Sequence, residues 1–467
     1  MYRAALLGEG KGDVISYISS VRADREILRE TILVLIAHIS ELYRAGVIPR
    51  DKFCKIYLYL RNLLSKTDKV LVEEADRRFE DIHELIESKL VTELGSDTAG
   101  WIGLGRSRND HVTAAHRLRL RDRLITILTK LATLRKVVLE KAARYSNTLF
   151  IVYTHGQPAQ VTTFGHYLLS LDEVLSSYMR LLLYLVEDIV NKSPLGAGPA
   201  AGTLAPIDRE RLAKSLGFSD VIFNTLYAVE TRNYFTLTCS VMVSLLVDLT
   251  RLANDLILYS HPNIGYLKLP DDHCATSSIM PHKRNPVTLE ILRARTGQAI
   301  GNLTGIWTIL HGVGKSYYLD LQEITPLAWN ILDVAESSID ILVDLLSKIE
   351  VDEKRIEKDL ETYLVTSAET AEQMSITTGK PFREVYFYIA EHIRKGDRIE
   401  LLPPELVVKQ RKILGSGNPE QVLKYISNAE SELRSIEQKI SELSRKIQET
   451  VSALLNLCDE TCREYSG

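Results

Sequence analysis

Apolar residues recur every three or four positions over long stretches of the chain, and the stretches are separated by loops rich in Gly, Pro and small polar residues. A period near 3.6 marks helices that bury one face. Residues 27–45 carry such a face, and Gly46 with Pro49 closes it as a helix stop. The same period predicts helices over 53–64, 75–94, 118–145, 164–191, 233–260, 288–310 and 325–349. In 118–145 the face is set by Leu124, Leu128, Leu131 and Val138. Near the C-terminus Leu433, Ile436, Ile440, Leu443, Ile447, Val451 and Leu454 repeat at three- and four-residue steps. That spacing predicts a terminal helix with a narrow apolar seam, docked on its own domain or on a subunit.

Proline placement agrees. None falls between Pro49 and Pro158, between Pro206 and Pro262, or between Pro326 and Pro381. Proline removes a donor and clashes with the preceding turn, so proline-free stretches of this length suit long helices. Alternating β-branched segments are nearly absent, which argues against a sheet-based fold. The fold class expected is all-α, with three helical domains over 1–106, 107–356 and 357–467 of the 467 residues, the middle one a central long-helix bundle. Several connections are longer than ordinary turns, which points to functional loops.

Composition narrows the function. Lys and Arg number 57 against 61 Asp and Glu, a formal net charge of −4. This excludes a general polyanion or nucleic-acid binder but leaves room for a local basic patch. Five cysteines are scattered at 54, 239, 274, 458 and 462 with no paired CxxC, so neither a zinc site nor a disulfide framework is expected, and a reducing cytoplasm fits. Residues 1–11 have no apolar core of signal-peptide length. The most apolar segment, 235–258, is broken by Asp248, Arg251, Asn254 and Asp255, and is expected at the centre of a bundle rather than across a membrane.

Two Gly-rich segments imitate nucleotide loops. Gly312-Val-Gly-Lys-Ser316 has the tail of a phosphate loop, but Ile309 stands where the first glycine belongs and no strand precedes it. Residues 195–202 have neither the strand nor the spacing of a dinucleotide loop. A close backbone approach between helices explains both better.

Four other loops, 103–111, 153–161, 272–286 and 315–323, concentrate chemistry. Ser107, Arg108 and Asn109 lie just before a predicted helix, where backbone donors and a guanidinium make a carboxylate or phosphate site. Thr154 and His155 precede Gln157 and Gln160. The third loop sets Ser277, Ser278, Lys283 and Asn285 between Pro281 and Pro286, as a lid carrying a nucleophile or base with an anion-binding lysine. The fourth holds Tyr317, Asp320, Gln322 and Glu323. Together they describe a site for a small polyanionic molecule.

Residues 277–286, Ser-Ser-Ile-Met-Pro-His-Lys-Arg-Asn-Pro, resemble the signature of the aspartase/fumarase superfamily, Gly-Ser-Ser-x-Met-Pro-x-Lys-x-Asn-Pro. Residues 105–110, Gly-Arg-Ser-Arg-Asn-Asp, are similar to a segment typical of the argininosuccinate lyase and δ-crystallin family. Tyr153-Thr-His155, Leu195-Gly196, Ile207-Asp-Arg209 and Asp320-Leu-Gln-Glu323 follow in that family's order, and Asp24-Arg25 and Glu80-Asp-Ile-His83 also look like family positions. The resemblance spans roughly residues 20–390. It implies a cytoplasmic homotetramer with a twenty-helix core and active sites shared by three subunits. It implies reversible elimination of fumarate from argininosuccinate to give arginine, with no metal or organic cofactor, no nucleic acid and no membrane as partner.

Carried over by motif, Ser277 is the proton-transfer residue at the succinyl carbon. His155 is the second acid–base group, paired with Glu290, and Lys283 with Asn285 stabilises a dianionic intermediate. Ser20, Ser107, Arg108, Asn109, Thr154, Tyr317 and Gln322 bind substrate. The chemistry is coherent. Removing a proton beside a carboxylate loads that carboxylate with charge, which fixed cations and N–H donors stabilise. A serine acts as base only where positive charge and backbone donors favour its anion. A histidine can protonate the departing guanidinium nitrogen, with a carboxylate fixing its tautomer. Departures from the pattern are Thr276 for the glycine before the serines, His111 for a glutamine, Ile102-Gly103-Leu104 for Leu-His-Thr, and Thr325 for a lysine. They bear on affinity more than on reaction class. The rivals are another lyase of the superfamily, such as adenylosuccinate lyase, and a non-catalytic crystallin-like relative.

Overall fold

The computed structural model describes residues 6, 8, 10–66 and 75–465. Long helices build the body of the described residues. In the N-terminal part these are α1 (Leu28–Arg44), α2 (Arg50–Ser65) and α3 (Ile82–Leu94). The central set is α4 (Arg108–Arg144), α5 (Phe164–Tyr184), α6 (Asn233–Ser260), α7 (Val287–Leu310) and α8 (Asp320–Lys348). The last is α9 (Pro419–Thr461), 43 residues long. The all-helical expectation holds, and the strands present are short two-stranded ladders.

The boundaries differ from the periodicity for identifiable reasons. The helix expected over 75–94 breaks, because Asp81 accepts a hydrogen bond from the Glu84 N–H at 2.7 Å and so starts α3 at Ile82. Helix α4 begins at Arg108, not 118: Ser107 caps it, and Asp110 accepts from the Ser107 N–H at 3.1 Å in a capping box. Helix α8 begins at Asp320 and carries Pro326 inside it, forgoing the bond that residue's N–H would make one turn back. The helix expected to reach 191 loosens after Tyr184 into a π-turn, Leu185–Val190. The buried Arg117 guanidinium takes up the Ile189 and Val190 carbonyls there, at 2.5 and 3.3 Å.

Segment 153–161 is not a loop. Strands β1 (Leu149–Thr154) and β2 (Gln157–Thr163) form an antiparallel hairpin whose ladder ends at Thr154 opposite Gln157. The turn is His155-Gly156, with φ of 53° and 73°. Two consecutive positive φ values mark the type I′ turn that matches strand twist.

Helix α4 packs against α5, α8 and α9, and α6 packs against α7 and α8. The main core lies between them, with Phe235, Met242 and Leu249 of α6 fully buried. Arg135 of α4 is fully buried and pairs with the fully buried Asp172 of α5 at 2.8 Å, and with Glu432 of α9 at 3.1 Å. By length and composition α6 is the one helix among the described residues apolar enough to cross a membrane, which corrects the expectation that its charges forbid it. Half of its apolar window is buried in the bundle, as for a core helix.

A second core joins α1, α2 and α3 to Leu212, Leu216 and the end of α9. Here the cysteine expectation fails. Cys54 of α2 and Cys462 at the end of α9 form a disulfide that closes 408 residues. No local spacing announces it, because the partners meet only after α9 runs back along α4. Tyr57 fixes that meeting by donating to Asp459 at 2.5 Å, and Arg50 donates to the Thr461 carbonyl at 2.9 Å.

His38 of α1 is buried and bonds the Leu104 carbonyl through Nε2 at 2.9 Å. Burial lowers its pKa to about 4, and repulsion from Arg106 adds to this. Between that value and 6.5 the unfolded chain binds a proton the folded one refuses. The stabilisation from this group is therefore fully present above pH 6.5 and is lost as pH falls toward 4, by about 3 kcal/mol. Chemical denaturation of a His38→Gln variant should show a shallower loss of stability from pH 7 to 5 than the parent. An identical slope would remove His38 from the acid response.

Candidate active site

The N-terminus of α4 organises one part of the site. The cap set by Ser107 places Arg108 in the first turn, and its guanidinium reaches three other segments. Nε lies 2.7 Å from Asp81, and Nη2 donates to Ser20 Oγ at 3.2 Å and to Gln322 Oε1 at 3.0 Å. Ser20 in turn donates to Asp24 at 2.7 Å. Gln322 Nε2 donates to the Ile18 carbonyl at 2.9 Å. Tyr317 presents its ring to two guanidiniums, Arg108 and Arg232, each 5.8 Å from the centroid.

Carboxylates and guanidiniums are therefore packed together. Burial pushes the Asp24 carboxyl up to about 6, against the opposing donation from Ser20. Burial likewise raises the Tyr317 phenol, and Arg108 and Arg232 oppose it. The neighbouring Asn109 donates to the Pro199 carbonyl at 2.9 Å. Asp110 accepts from the Gly196 and Gly198 N–H groups at 3.1 and 3.0 Å. The segment that imitates a dinucleotide loop is thus a backbone cradle against α4. A Cβ on Gly198, where φ is 58°, would lie 2.7 Å from the Gly202 carbonyl oxygen. The other imitator is equally structural: Lys315 pairs with Glu230 at 3.0 Å, and Glu230 also accepts from the Ser316 N–H at 3.1 Å.

The signature loop forms a second part. Ala275 pairs with Asn285 and Thr276 with Arg284 in a short antiparallel ladder, so 277–283 is a closed loop on a fixed base. Ser277 Oγ accepts from the Met280 N–H at 3.2 Å and from the Ile279 N–H at 3.4 Å. Two donors aimed at one hydroxyl oxygen favour its anion. Lys283 is exposed, Asn285 is half-buried in the ladder, and Glu290 is exposed in the first turn of α7.

The hairpin tip is the third part. Thr154 and His155 stand exposed at the turn, with His155 held at positive φ by its own backbone. Only Gly, Asn, Asp and His are at all common there.

Ser20, Arg108, Tyr317 and Gln322 are brought together, with Ser107 and Asn109 on the same helix end. Ser277, Lys283 and Asn285 share another loop. Among the described residues no hydrogen bond or ion pair joins that loop or His155 to the Arg108 cluster, and none joins His155 to Glu290. Sequence reasoning set Asp24 and Asp81 aside as family positions without a role and missed Arg232. Asp81 both caps α3 and holds Arg108, and its cue is the capping pattern three residues before Glu84.

A family model described as Lyase matches residues 16–301. Argininosuccinate lyase of Pyrobaculum calidifontis is 44% identical over 419 residues, covering 90% of this chain and 95% of that one. Argininosuccinate lyase of Pyrococcus furiosus is 38% identical over 454 residues, covering 95% and 97%. Among solved structures, EDDS lyase in complex with formate superposes with a TM-score of 0.85 at 23% identity, covering 94% and 92% of the two chains. That likeness establishes the shared fold.

Proposed function

The chain belongs to the argininosuccinate lyase family, and from that premise we propose how its loops divide the cleavage of argininosuccinate into fumarate and arginine. The observation that carries the proposal is Ser277, whose hydroxyl oxygen already receives two backbone N–H donors. Ser277 as its alkoxide takes the proton from the carbon beside the distal carboxylate. Lys283 and Asn285, on the same loop, stabilise the charge that gathers on that carboxylate. The electron pair becomes the fumarate double bond as the C–N bond breaks, and His155, oriented by Glu290, returns a proton to the departing guanidinium nitrogen.

The Arg108 cluster serves the other end of the substrate. It mixes the carboxylates of Asp24 and Asp81 with the guanidiniums of Arg108 and Arg232, and so suits a zwitterionic amino-acid end. Ser20, Gln322 and Tyr317 complete it, with Ser107, Asn109 and Thr154 along the approach. Thr325, buried in α8, stands where the family pattern has a lysine, and its hydroxyl has no hydrogen-bond partner among the described residues.

The three parts are joined by assembly of a homotetramer through the central helices. Leu237 and Val247 of α6, Ile291, Ile300 and Trp307 of α7, and Ile341 of α8 are exposed apolar residues on those helices, which supports such an interface. The division of labour runs between subunits, and within each subunit the residues named lie in the domains 1–106 and 107–356, with none in 357–467. The setting is arginine biosynthesis in the cytoplasm.

Mixing tests the shared site. Ser277→Ala and Arg108→Gln proteins, each inactive alone, should regain partial activity when dissociated and reassembled together. Some mixed tetramers then contain a site with both intact residues. Light scattering should show tetramers throughout. Mixed tetramers with no recovered turnover would place all three parts in one subunit.

A further inference from the structure

The base of the signature loop carries a tie that the reaction scheme does not use. His273 lies four residues before Ser277 and is buried, although its neighbours Asp271 and Asp272 are exposed. Both ring nitrogens are bonded. Nε2 lies 2.8 Å from Asp344 near the end of α8, and Nδ1 lies 3.1 Å from Thr288 Oγ1 at the start of α7. Thr288 returns a bond to the His273 carbonyl at 3.4 Å. Lys348 donates to Asp344 at 2.7 Å and to Asp272 at 2.5 Å. Asp272, His273 and Asp344 bring ligand-type atoms within 4.8 Å of one another, but the Lys348 ammonium already bridges the two carboxylates. The cluster is a salt-bridged anchor.

The anchor sits where the loop needs one. One residue separates His273 from the Ala275–Asn285 pair, and Thr288 follows three residues after Asn285. The imidazole therefore ties both legs of the loop to one another and to a long helix. The ladder supports the same base from the other side, with Arg284 donating to the Leu269 carbonyl at 3.1 Å and pairing with Asp271 at 2.5 Å. A base held a fraction of an ångström out of place forfeits much of its rate, so the stiffness of this hinge feeds directly into proton transfer.

We propose that His273, clamped between Asp344 and Thr288, is a positioning residue that fixes the base of the Ser277 loop and thereby sets kcat without contacting substrate. The inference rests on the role assigned above to Ser277, and its test has one arm that needs no substrate. His273→Leu removes both bonds. Asp344→Asn weakens one, and His273→Gln keeps an amide N–H near the Nε2 position.

In hydrogen exchange on the full chain, residues 274–286 should exchange at least tenfold faster in His273→Leu and Asp344→Asn. The interiors of α7 and α8 and the melting temperature should stay as in the parent. In fumarate release, kcat should fall tenfold or more with KM within twofold, and His273→Gln should recover most of both losses. Unchanged exchange in the loop would overturn the tie. Faster exchange with unchanged kcat would overturn its role in positioning. A fall in kcat that His273→Gln does not rescue, accompanied by lower thermal stability, would reduce the residue to a structural one. A parent enzyme that fails to cleave argininosuccinate would refute the functional assignment, while the exchange arm would still judge the tie.

Discussion

Ser277→Ala is expected to lower kcat for argininosuccinate cleavage by about 10³-fold, the scale for losing a positioned proton-transfer group. KM should move little, because the Arg108 cluster that holds the other end of the substrate is untouched. The fold should also survive. Ser277 is on a loop whose base is closed by the 275–276 and 284–285 ladder, and its only described hydrogen bonds are local ones to Ile279 and Met280. Steady-state rates with circular dichroism and light scattering check this. Turnover near that of the parent from an intact assembly would move the base to another group. His155→Asn should lose most turnover in the same way, since Asn also tolerates the positive φ of that turn position.

Cys54→Ser is expected to produce the largest loss of stability of any single change outside the main core. A cross-link that closes 408 residues removes much chain entropy from the unfolded state. The loop-entropy scale gives about 6 kcal/mol for a loop of this length, and disulfides as a class reach about 5 kcal/mol. The bond also secures the end of α9 on α2, where Tyr57 and Arg50 add polar contacts. Melting of the parent with and without reductant, beside Cys54→Ser, measures the effect. Both treatments should lower the transition by a similar several degrees and leave kcat at moderate temperature unchanged. Equal melting with and without reductant, and in the variant, would mean that the contacts around Tyr57 hold α9 unaided. The bond does not assign a compartment. Disulfides are rare in reducing cytosols but common inside hyperthermophiles.

Long helices were legible in the sequence because each carries an apolar stripe for its full length. Helices α6 and α7 lie within a residue of their predicted limits. The errors fall where a side chain overrides the period. Asp81 and Ser107 set helix starts by capping, and neither capping bond involves an apolar residue. Arg117 of α4 sustains a π-turn that lies 72 residues further along the chain. The β1–β2 hairpin was missed because its first strand is a continuous apolar run, 149–153, which periodicity does not separate from buried helix.

The site was legible as motifs and not as geometry. Residues 277–286 and 105–110 announce their chemistry through type and order. Asp81 and Arg232 join the cluster only in three dimensions. The disulfide lay beyond reach for the same reason, since sequence spacing carries no information about a partner 408 residues away.

The most direct measurement is fumarate release, followed by ultraviolet absorbance, with argininosuccinate and adenylosuccinate supplied separately to the purified protein. The account predicts rapid fumarate formation from argininosuccinate with equimolar arginine, and none above background from adenylosuccinate. Fumarate from adenylosuccinate alone, or from neither substrate at rates above those of Ser277→Ala, would contradict it.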